Sequence, residues 1–192
     1  MVNIDNLHLA GWFPEEIEIW LEMHQVSSFR AKQIFSWLQK HIVQSFSEMS
    51  NVPKDLRLLL EKTFKGPWPL QLLTTRTSVD GTEKYLFRLD DGSTIETVLI
   101  PELERQTICI STQVGCAMNC SFCATGQAGY VRNLNPAEIV AQVLWVQAKL
   151  RAKGLSLTNV VYMGMGEPLA NYAPVLKSAR IFNHPQGLNF GA

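Results

Sequence analysis

The sequence predicts an α/β protein in which a small helical domain and a short antiparallel β extension precede two β/α units. Three observations lead to this prediction. Apolar residues recur at helical spacing from about 14 to 65. From about 70 to 100 they alternate with polar residues, as in strands. After residue 101 the chain has the pattern of a strand, a loop and a helix twice in succession. We therefore divide the chain into residues 1–66, 67–101 and 102–192.

The composition is that of an ordinary globular protein. The 192 residues are 46% hydrophobic and 18% charged, with zero net charge at pH 7. This balance does not indicate a strongly basic nucleic-acid binder, although a local basic face is compatible with it. No apolar run is long enough to predict a membrane span. Residues 1–5 lack the features of a signal peptide, and clustered thiols suit a reducing compartment, so we expect a cytoplasmic protein.

Three helices are expected in the helical domain. Pro14 suits a first helical position, and the two acidic residues after it lie at the positive end of the helix dipole. Ser28 is the expected cap of a second helix, and Pro53 the expected start of a third. Basic side chains on these helices fit a solvated face, with a phosphate-contacting face as the alternative. They are Arg30, Lys32, Lys40, Arg57, Lys62 and Lys65.

The β extension begins where Gly66-Pro67-Trp68-Pro69 interrupts the helical pattern. Asp80-Gly81 and Asp91-Gly92 are hairpin signals between three expected strands, the last of which covers residues 94–100. Glu96 shares a face of that last strand with apolar side chains, because side chains alternate along a strand. A carboxylate in this pattern lies at an exposed edge or in a functional site, and the pattern leaves both open.

The rest of the chain predicts two β/α units. A strand at residues 107–112 leads into a cysteine-rich segment, and Asn135-Pro136-Ala137-Glu138 has the residues of a helix start. Residues 157–163 are a compact apolar run, expected to form a buried parallel strand, and a short helix follows from about 172 to 182. Loops that follow parallel strands meet at one edge of the sheet, where α/β proteins bind ligands.

The cysteine-rich segment contains a CxxxCxxC motif, formed by Cys116, Cys120 and Cys123. Iron–sulfur clusters are held by thiolates, and a 4Fe-4S cluster normally takes four of them. Three close ligands would leave one iron open to a small chelating molecule. With Cys109 the set could instead form a four-thiolate zinc site, but such sites usually use two separated CxxC pairs. The spacing favours the cluster and leaves zinc as the alternative.

The cysteine motif and the downstream Gly164-Met165-Gly166-Glu167-Pro168 together resemble the radical S-adenosylmethionine (SAM) superfamily. Longer segments narrow the resemblance to the RlmN/Cfr family of RNA adenine methyltransferases, and within it to the RlmN branch. These segments are ETVLIP at 96–101, CISTQVGC at 109–116 and NVVYMGMGEPL at 159–169. The resemblance spans nearly the whole chain and includes the helical domain, which in that family helps to grip RNA.

The resemblance implies a methyltransferase acting on carbon 2 of adenosine in 23S ribosomal RNA and in transfer RNA, with a 4Fe-4S cluster and two SAM molecules. It implies ribosomal and transfer RNA as partners, an electron donor such as flavodoxin, and no membrane. Each site residue takes a role from the family pattern: cluster binding by Cys116, Cys120 and Cys123, SAM binding by Gly166 and Glu167, proton acceptance by Glu96, and disulfide-forming resolution of a protein–RNA crosslink by Cys109.

The chain departs from the family pattern in one respect. The family carries the transferred methyl group on a cysteine near the carboxyl end, and all four cysteines of this sequence match other roles. The resemblance also implies a radical SAM β/α barrel, of which only the first units are visible, so the expected barrel is incomplete. We therefore expect the amino-terminal half of a longer enzyme, without RNA methylation by these residues alone. A different radical SAM enzyme and a zinc-stabilised RNA-binding module are the alternative functions.

Overall fold

The structure, a computed structural model, describes residues 8–191. Residues 1–5, on which the signal-peptide prediction depends, lie outside the described residues. Helix α1 begins at Pro14 as predicted, and the Glu16 carboxylate accepts a hydrogen bond of 2.8 Å from the Phe13 N–H. The helices of the first part are α1 (Pro14–Met23), α2 (Arg30–Ser36) and α3 (Lys54–Thr63), with short 3-10 turns at Leu9–Gly11 and Phe46–Glu48.

Helix α2 differs from the prediction at its start. The prediction that Ser28 caps it is wrong, because Phe29 holds the cap position and no side chain makes a capping hydrogen bond. At its other end α2 continues into a π-helical turn, Trp37–His41, which is followed by Ile42 with φ of +57°. A β-branched residue rarely adopts this left-handed conformation, so the turn stores backbone strain.

The strands are β1 (Gln71–Thr77), β2 (Glu83–Arg88), β3 (Thr94–Pro101), β4 (Gln106–Cys109), β5 (Gln113–Gly115), β6 (Tyr130–Asn133) and β7 (Asn159–Val161). Five of them form one sheet in the order β1-β2-β3-β4-β7, and β5 pairs with β6 separately. The predicted hairpin turns are present, and Gly81 and Gly92 have φ of +84° and +85°. Because β3 pairs with β4, the three strands of the β extension and the parallel pair β4 and β7 form one continuous sheet.

Helix α5, Pro136–Arg151, begins as the sequence predicts. The Asn135 side chain accepts a hydrogen bond of 3.0 Å from the Glu138 N–H, and the Glu138 carboxylate accepts one of 2.9 Å from the Asn135 N–H. The prolyl ring at the first helical position costs no hydrogen bond, since that N–H has no partner in the helix.

The two faces of the sheet have different environments. On one face α5 packs through Trp145, whose ring lies 5.0 Å from Tyr85 and 5.2 Å from Phe87 of β2. The opposite face carries Glu96 and Cys109, which are only partly buried. The sheet therefore separates a hydrophobic core from a face on which polar and reactive side chains remain accessible.

One hydrophobic core joins the helices of residues 8–65 to the sheet and α5. A Cβ on Gly11 would lie 2.4 Å from the Ala137 nitrogen, so the first 3-10 turn touches the start of α5 directly. Lys177, on helix α6 (Tyr172–Phe182), donates a hydrogen bond of 2.7 Å to Glu16 of α1. The domain boundaries after residues 66 and 101 stay a prediction.

The second β/α unit is shorter than predicted. Within residues 157–163 only β7 is a strand; it runs parallel to β4, with Cys109 opposite Val161. The expected burial of this strand is wrong, because β7 is the edge of the sheet and its residues are exposed or partly exposed. Helix α6 covers the predicted range. None of the helices between residues 8 and 191 is both long and apolar enough to cross a membrane.

Candidate functional site

The two motif segments lie along the same strand end, as the sequence order predicts. We call residues 116–129 the cysteine loop and residues 162–168 the glycine loop. Beyond β4 the chain keeps pairing with the glycine loop: the Gly164 N–H donates to the Ile110 carbonyl at 3.0 Å. The N–H groups of Thr112 and Gln113 both donate to the Met165 carbonyl, at 2.8 and 3.1 Å. The glycine loop is therefore attached to the segment that leads into the cysteine loop.

This attachment is possible only because two positions lack side chains. A Cβ on Gly164 would lie 2.7 Å from the carbonyl carbon of Ile110. A Cβ on Gly166 would lie 2.5 Å from the Cβ of Gln113, and the φ of Gly166 is +97°, a value that favours glycine. The main chain of Gly166, a predicted SAM-binding residue, therefore lies directly against Gln113.

Glu167, the second predicted SAM-binding residue, lies near the end of the glycine loop. Its N–H donates a hydrogen bond of 2.9 Å to the Gln113 side chain, which fixes its main chain. One carboxylate oxygen accepts a hydrogen bond of 3.0 Å from the Leu169 N–H and caps the 3-10 turn Pro168–Asn171. The side chain is only partly buried, so the carboxylate is oriented by the protein and remains accessible.

Glu96 lies on β3 beside the glycine loop. Its N–H donates to the Met165 sulfur at 3.3 Å, and its carbonyl accepts a hydrogen bond of 2.6 Å from the Ser111 hydroxyl. The carboxylate pairs with Lys84 at 2.9 Å, and 43% of the side chain is exposed. Because β3 is an inner strand, the sheet-edge explanation of this carboxylate does not apply.

Cys109 lies at the end of β4, on the sheet face that also carries Glu96. It is opposite Val98 of β3, and side chains of directly opposed residues share a face. Burial raises the pKa of the Cys109 thiol, and a hydrogen bond from the Met163 N–H partly offsets this effect. The thiol is free, as are those of the other three cysteines. The structure thus places the two predicted reactive side chains on one face next to the glycine loop.

The base of the cysteine loop is closed by β5 and β6. Cys116 donates its N–H to the Gly129 carbonyl at 3.0 Å. Gly115 has φ of +71°, and a Cβ there would lie 1.8 Å from the same carbonyl oxygen. Arg132 on β6 makes two hydrogen bonds of 2.8 Å to the buried carboxylate of Glu138, which connects the base to α5.

The predicted cluster ligands differ in their surroundings. Cys116 is buried at the base of the loop, and Cys120 and Cys123 are partly buried. Cys123 precedes a short helix, α4 (Ala124–Gln127), and the Gly126 N–H lowers the pKa of its thiol. A lower pKa favours the thiolate, which is the form that binds metals.

The thiols share one loop without meeting at one point. Between residues 8 and 191 no group of three or more His, Cys, Asp or Glu side chains is arranged to hold a metal ion. The chemistry of the donor set nevertheless fits an iron–sulfur cluster, because residues 116–129 offer three thiols and no imidazole or carboxylate. Cys109, which the zinc alternative needs as a fourth ligand, lies on β4 rather than on the loop.

Comparisons with known proteins show the family to which the chain belongs. Residues 7–65 match the family model described as "Ribosomal RNA large subunit methyltransferase N-terminal domain". The chain is 49% identical over 165 residues to a probable dual-specificity RNA methyltransferase RlmN of Dictyoglomus thermophilum, covering 86% of this chain and 47% of that protein. It is 42% identical over 197 residues to the dual-specificity RNA methyltransferase RlmN of Nautilia profundicola, covering 97% and 54%. The chain belongs to the RlmN family.

A solved structure supports the same relationship. A radical SAM methyltransferase from Sphaerobacter thermophilus superposes with a TM-score of 0.91 at 43% identity, covering 96% of this chain and 54% of that one. The mixed α/β fold class is therefore confirmed. The chain spans about half the length of the RlmN-family relatives it matches.

Membership in the RlmN family confirms the family resemblance, whereas the roles of individual site residues stay predictions.

The sequence did not lead us to predict the side chains that hold the two loops in place. Asn171 is buried and donates hydrogen bonds of 2.8 Å to the carbonyls of Thr112 and Leu134. Gln142 is fully buried among the apolar residues of α5. A polar residue inside an otherwise buried helix was the available signal, because such groups are retained only with hydrogen-bond partners.

Proposed function

We propose that this chain forms part of a radical SAM methyltransferase that methylates carbon 2 of adenosine in 23S ribosomal RNA and in transfer RNA. One observation carries the proposal. The glycine loop is hydrogen-bonded along residues 110–113, and that segment leads directly into the loop with the three thiols. The family relatives are named as dual-specificity RNA methyltransferases, which supports both RNA substrates.

The proposed cofactors are a 4Fe-4S cluster and SAM, with two SAM molecules used in each methylation. Cys116, Cys120 and Cys123 would hold three irons of the cluster and leave the fourth open. When bound, the cluster supplies the electron for reductive cleavage of SAM. Gly166 offers main chain without a side chain at the strand end, and Glu167 offers an oriented carboxylate that suits the SAM amino group.

Glu96 and Cys109 would act on the RNA adduct. Glu96 has an accessible carboxylate beside the glycine loop, which suits a base that removes the proton from carbon 2 of adenine. Cys109 would supply the sulfur that breaks the protein–RNA crosslink by forming a disulfide with the methyl-carrying cysteine. Its buried thiol favours the protonated form, so it must lose its proton before it acts.

The open sheet is compatible with the first part of a radical SAM β/α barrel. β4 and β7 are parallel, α5 joins them across one face, and β7 has an unpaired edge among the described residues. Further parallel strands would add at this edge. They would also cover the face with Glu96 and Cys109, because the inner face of a barrel is enclosed by its own strands.

The helical part offers a groove suited to RNA. The groove lies between the strained π-helical turn and the segment after α6, and π-helical turns are frequent at functional sites. Cations and an aromatic pair are available for phosphates and bases, with the Trp37 and His41 rings 4.4 Å apart. The groove is lined by Lys32, Gln33, Ser36, Trp37, Lys40, His41, Asn51, Pro185 and Gln186, none of them acidic.

A charge reversal tests this groove. Lys32→Glu with Lys40→Glu is expected to weaken RNA binding by the chain at least tenfold, because phosphate contacts supply most of the affinity. Lys54→Glu with Lys62→Glu is the matched control, since both are exposed lysines on α3 of the same helical part. Equal loss in both pairs, measured by fluorescence anisotropy with a labelled RNA hairpin, would contradict the proposed groove.

Two further elements complete the proposal. A small electron-transfer protein such as flavodoxin would reduce the cluster. The cytoplasm is the proposed location, because four free thiols persist in a reducing compartment.

Anaerobic reconstitution tests the proposed function. After addition of iron and sulfide, the chain should bind about one 4Fe-4S cluster. The electron paramagnetic resonance signal of the reduced cluster should change when SAM is added, because SAM binds the open iron. Stoichiometric zinc without a cluster, or a cluster signal that SAM leaves unchanged, would refute the proposal.

A further inference from the structure

Ser111 connects the elements that carry the predicted site residues. Its hydroxyl donates a hydrogen bond of 2.6 Å to the Glu96 carbonyl and accepts one of 2.9 Å from the Met165 N–H. One side chain thus joins β3 to the glycine loop. Along the chain Ser111 follows Cys109 by two residues and precedes Cys116 by five, and it is fully buried.

Gln142 holds the main chain of Ser111 from the opposite side of the sheet. Its side-chain oxygen accepts a hydrogen bond of 2.8 Å from the Ser111 N–H, and its side-chain nitrogen donates one of 2.9 Å to the Ser111 carbonyl. The Thr97 hydroxyl also donates to the Gln142 oxygen at 2.8 Å, and the Gln142 nitrogen also donates to the Glu138 carbonyl at 3.1 Å. The amide has a partner for each polar atom.

The two hydrogen bonds between the Gln142 amide and the Ser111 main chain replace those that a neighbouring strand would make. After β4 ends at Cys109, the Ser111 peptide has no strand partner at its N–H and carbonyl. A side-chain amide presents one donor and one acceptor in the same plane, so Gln142 replaces the missing strand at a single residue. An apolar side chain would fill the space but leave two buried main-chain groups without partners.

We infer that Gln142 is a positioning residue for SAM binding: it fixes the Ser111 main chain, and the Ser111 hydroxyl in turn fixes the glycine loop beside Glu96. The inference rests on the proposed role of the glycine loop in binding SAM. Among residues 8–191 the hydrogen bonds of the Gln142 side chain go to Thr97, Ser111 and Glu138, and none goes to the glycine loop or to Glu96. Its effect passes through Ser111.

Two measurements on the same variants test the inference. Hydrogen–deuterium exchange of residues 162–170 in the metal-free chain reports the order of the glycine loop. A SAM titration of the reconstituted chain reports affinity. Gln142→Met, which keeps the volume and removes the amide, should speed exchange at the Met165 amide and weaken SAM binding about tenfold, the size expected for one or two lost hydrogen bonds.

Gln147→Met is the matched control. Gln147 is also a buried amide on α5, 3% exposed, and its oxygen accepts a hydrogen bond of 2.9 Å from the Leu157 N–H, which precedes β7 and lies outside the glycine loop. This variant should lose comparable thermal stability and keep both the exchange rate of residues 162–170 and the SAM affinity. A general loss of stability would instead affect both variants alike.

The outcomes separate the inference from the proposed function. Unchanged exchange and affinity in Gln142→Met, or equal changes in Gln147→Met, would overturn the inference. If Gln142→Met does not fold, Ser111→Ala tests the same connection by removing only the hydroxyl. If the wild-type chain binds a cluster but no SAM, the proposed function fails, and the exchange comparison alone decides whether Gln142 orders the loop.

Discussion

The glycine loop and the cysteine loop lie at the same edge of the sheet and are built in different ways. The glycine loop is held by main-chain hydrogen bonds to residues 110–113 and by the buried side chain of Ser111. Asn171, in the turn after the loop, donates a hydrogen bond to the Thr112 carbonyl. The cysteine loop is closed at its base by the hydrogen bond from Cys116 to Gly129, and Met118 and Phe122 within it are 57% and 90% exposed. Its thiols are not gathered at one point.

This difference indicates how far the protein itself orders each of the two loops before a ligand binds. The fold itself orders the glycine loop, so its geometry exists before any ligand binds. The cysteine loop has a fixed base and a tip with few protein contacts, so the proposed cluster would order that tip when it binds. Substitutions in the glycine loop should therefore change stability, whereas substitutions at the tip of the cysteine loop should change only ligand binding.

The largest expected effect is the loss of the cluster. Replacement of any one of Cys116, Cys120 or Cys123 by Ala should abolish cluster binding, because these thiols are the proposed protein ligands. Cys120→Ala and Cys123→Ala should change the stability of the metal-free chain by less than about 0.5 kcal/mol, as usual for positions with few contacts. Iron and sulfide analysis and thermal unfolding measure the two effects.

Cys109→Ala is the control, since this thiol lies on β4 and not on the cysteine loop. It should retain the cluster. If the cluster were lost with Cys109→Ala as well, four cysteines would be ligands, and the proposal of an open iron would be wrong.

The next largest effect is expected at Glu96, on the ordered side of the site. In a full-length family enzyme, the Gln substitution at this position should leave cluster and SAM binding intact and slow methylation by about 10²–10⁴-fold, the usual contribution of a general base. Replacement of its ion-pair partner Lys84 by Gln is the control and should have little effect, since the pair is exposed. Normal methylation by the Glu96→Gln enzyme, measured by mass spectrometry of digested RNA, would remove Glu96 from the mechanism.

Local sequence signals predicted the features that depend on neighbouring residues. Asn135 with Glu138 predicted the start of α5, and Asp91-Gly92 predicted a hairpin turn, because capping and turn conformation are decided within a few residues. The Ser111–Gln142 contact joins residues 31 positions apart, and no local pattern encodes such a pair. Exposure of β7 was also unpredictable, since burial of a strand depends on which strands flank it.

A glycine substitution in each loop tests the same comparison through stability. Gly166→Ala should destabilise the chain by about 3 kcal/mol, because the added Cβ requires an unfavourable φ and lies 2.5 Å from Gln113. Gly129→Ala is the matched control, with φ of +82° and no atom within 4 Å of an added Cβ. It should cost only about 1 kcal/mol of conformational strain. Equal losses in urea unfolding would mean that the glycine loop is no more tightly packed than the cysteine loop.

The smallest expected effect concerns the base of the cysteine loop, where Arg132 joins β6 to the hairpin turn at Asp91. Arg132 donates a hydrogen bond of 2.7 Å to the Asp91 carboxylate and lowers the pKa of that group to about 2. A carboxyl pKa that is lower in the folded state contributes stability above the unfolded value of about 4, and this stability is lost as the pH falls towards 2. Because 44% of the Asp91 side chain is exposed, the contribution should be below about 1 kcal/mol.

Asp91→Asn should therefore reduce the difference in unfolding free energy between pH 5 and pH 2. Because salt screens the ion pair, the effect of this substitution should be smaller in 1 M salt. Asp80→Asn is the matched control: Asp80 accepts the N–H of the residue two positions ahead at 2.9 Å, as Asp91 does, but no arginine pairs with it among residues 8–191. The effect of Asp80→Asn should not depend on salt. If Asp91→Asn is equally insensitive to salt, the ion pair adds nothing to the turn, and only the pairing of β5 with β6 and the Arg132–Glu138 contact fix the base of the cysteine loop.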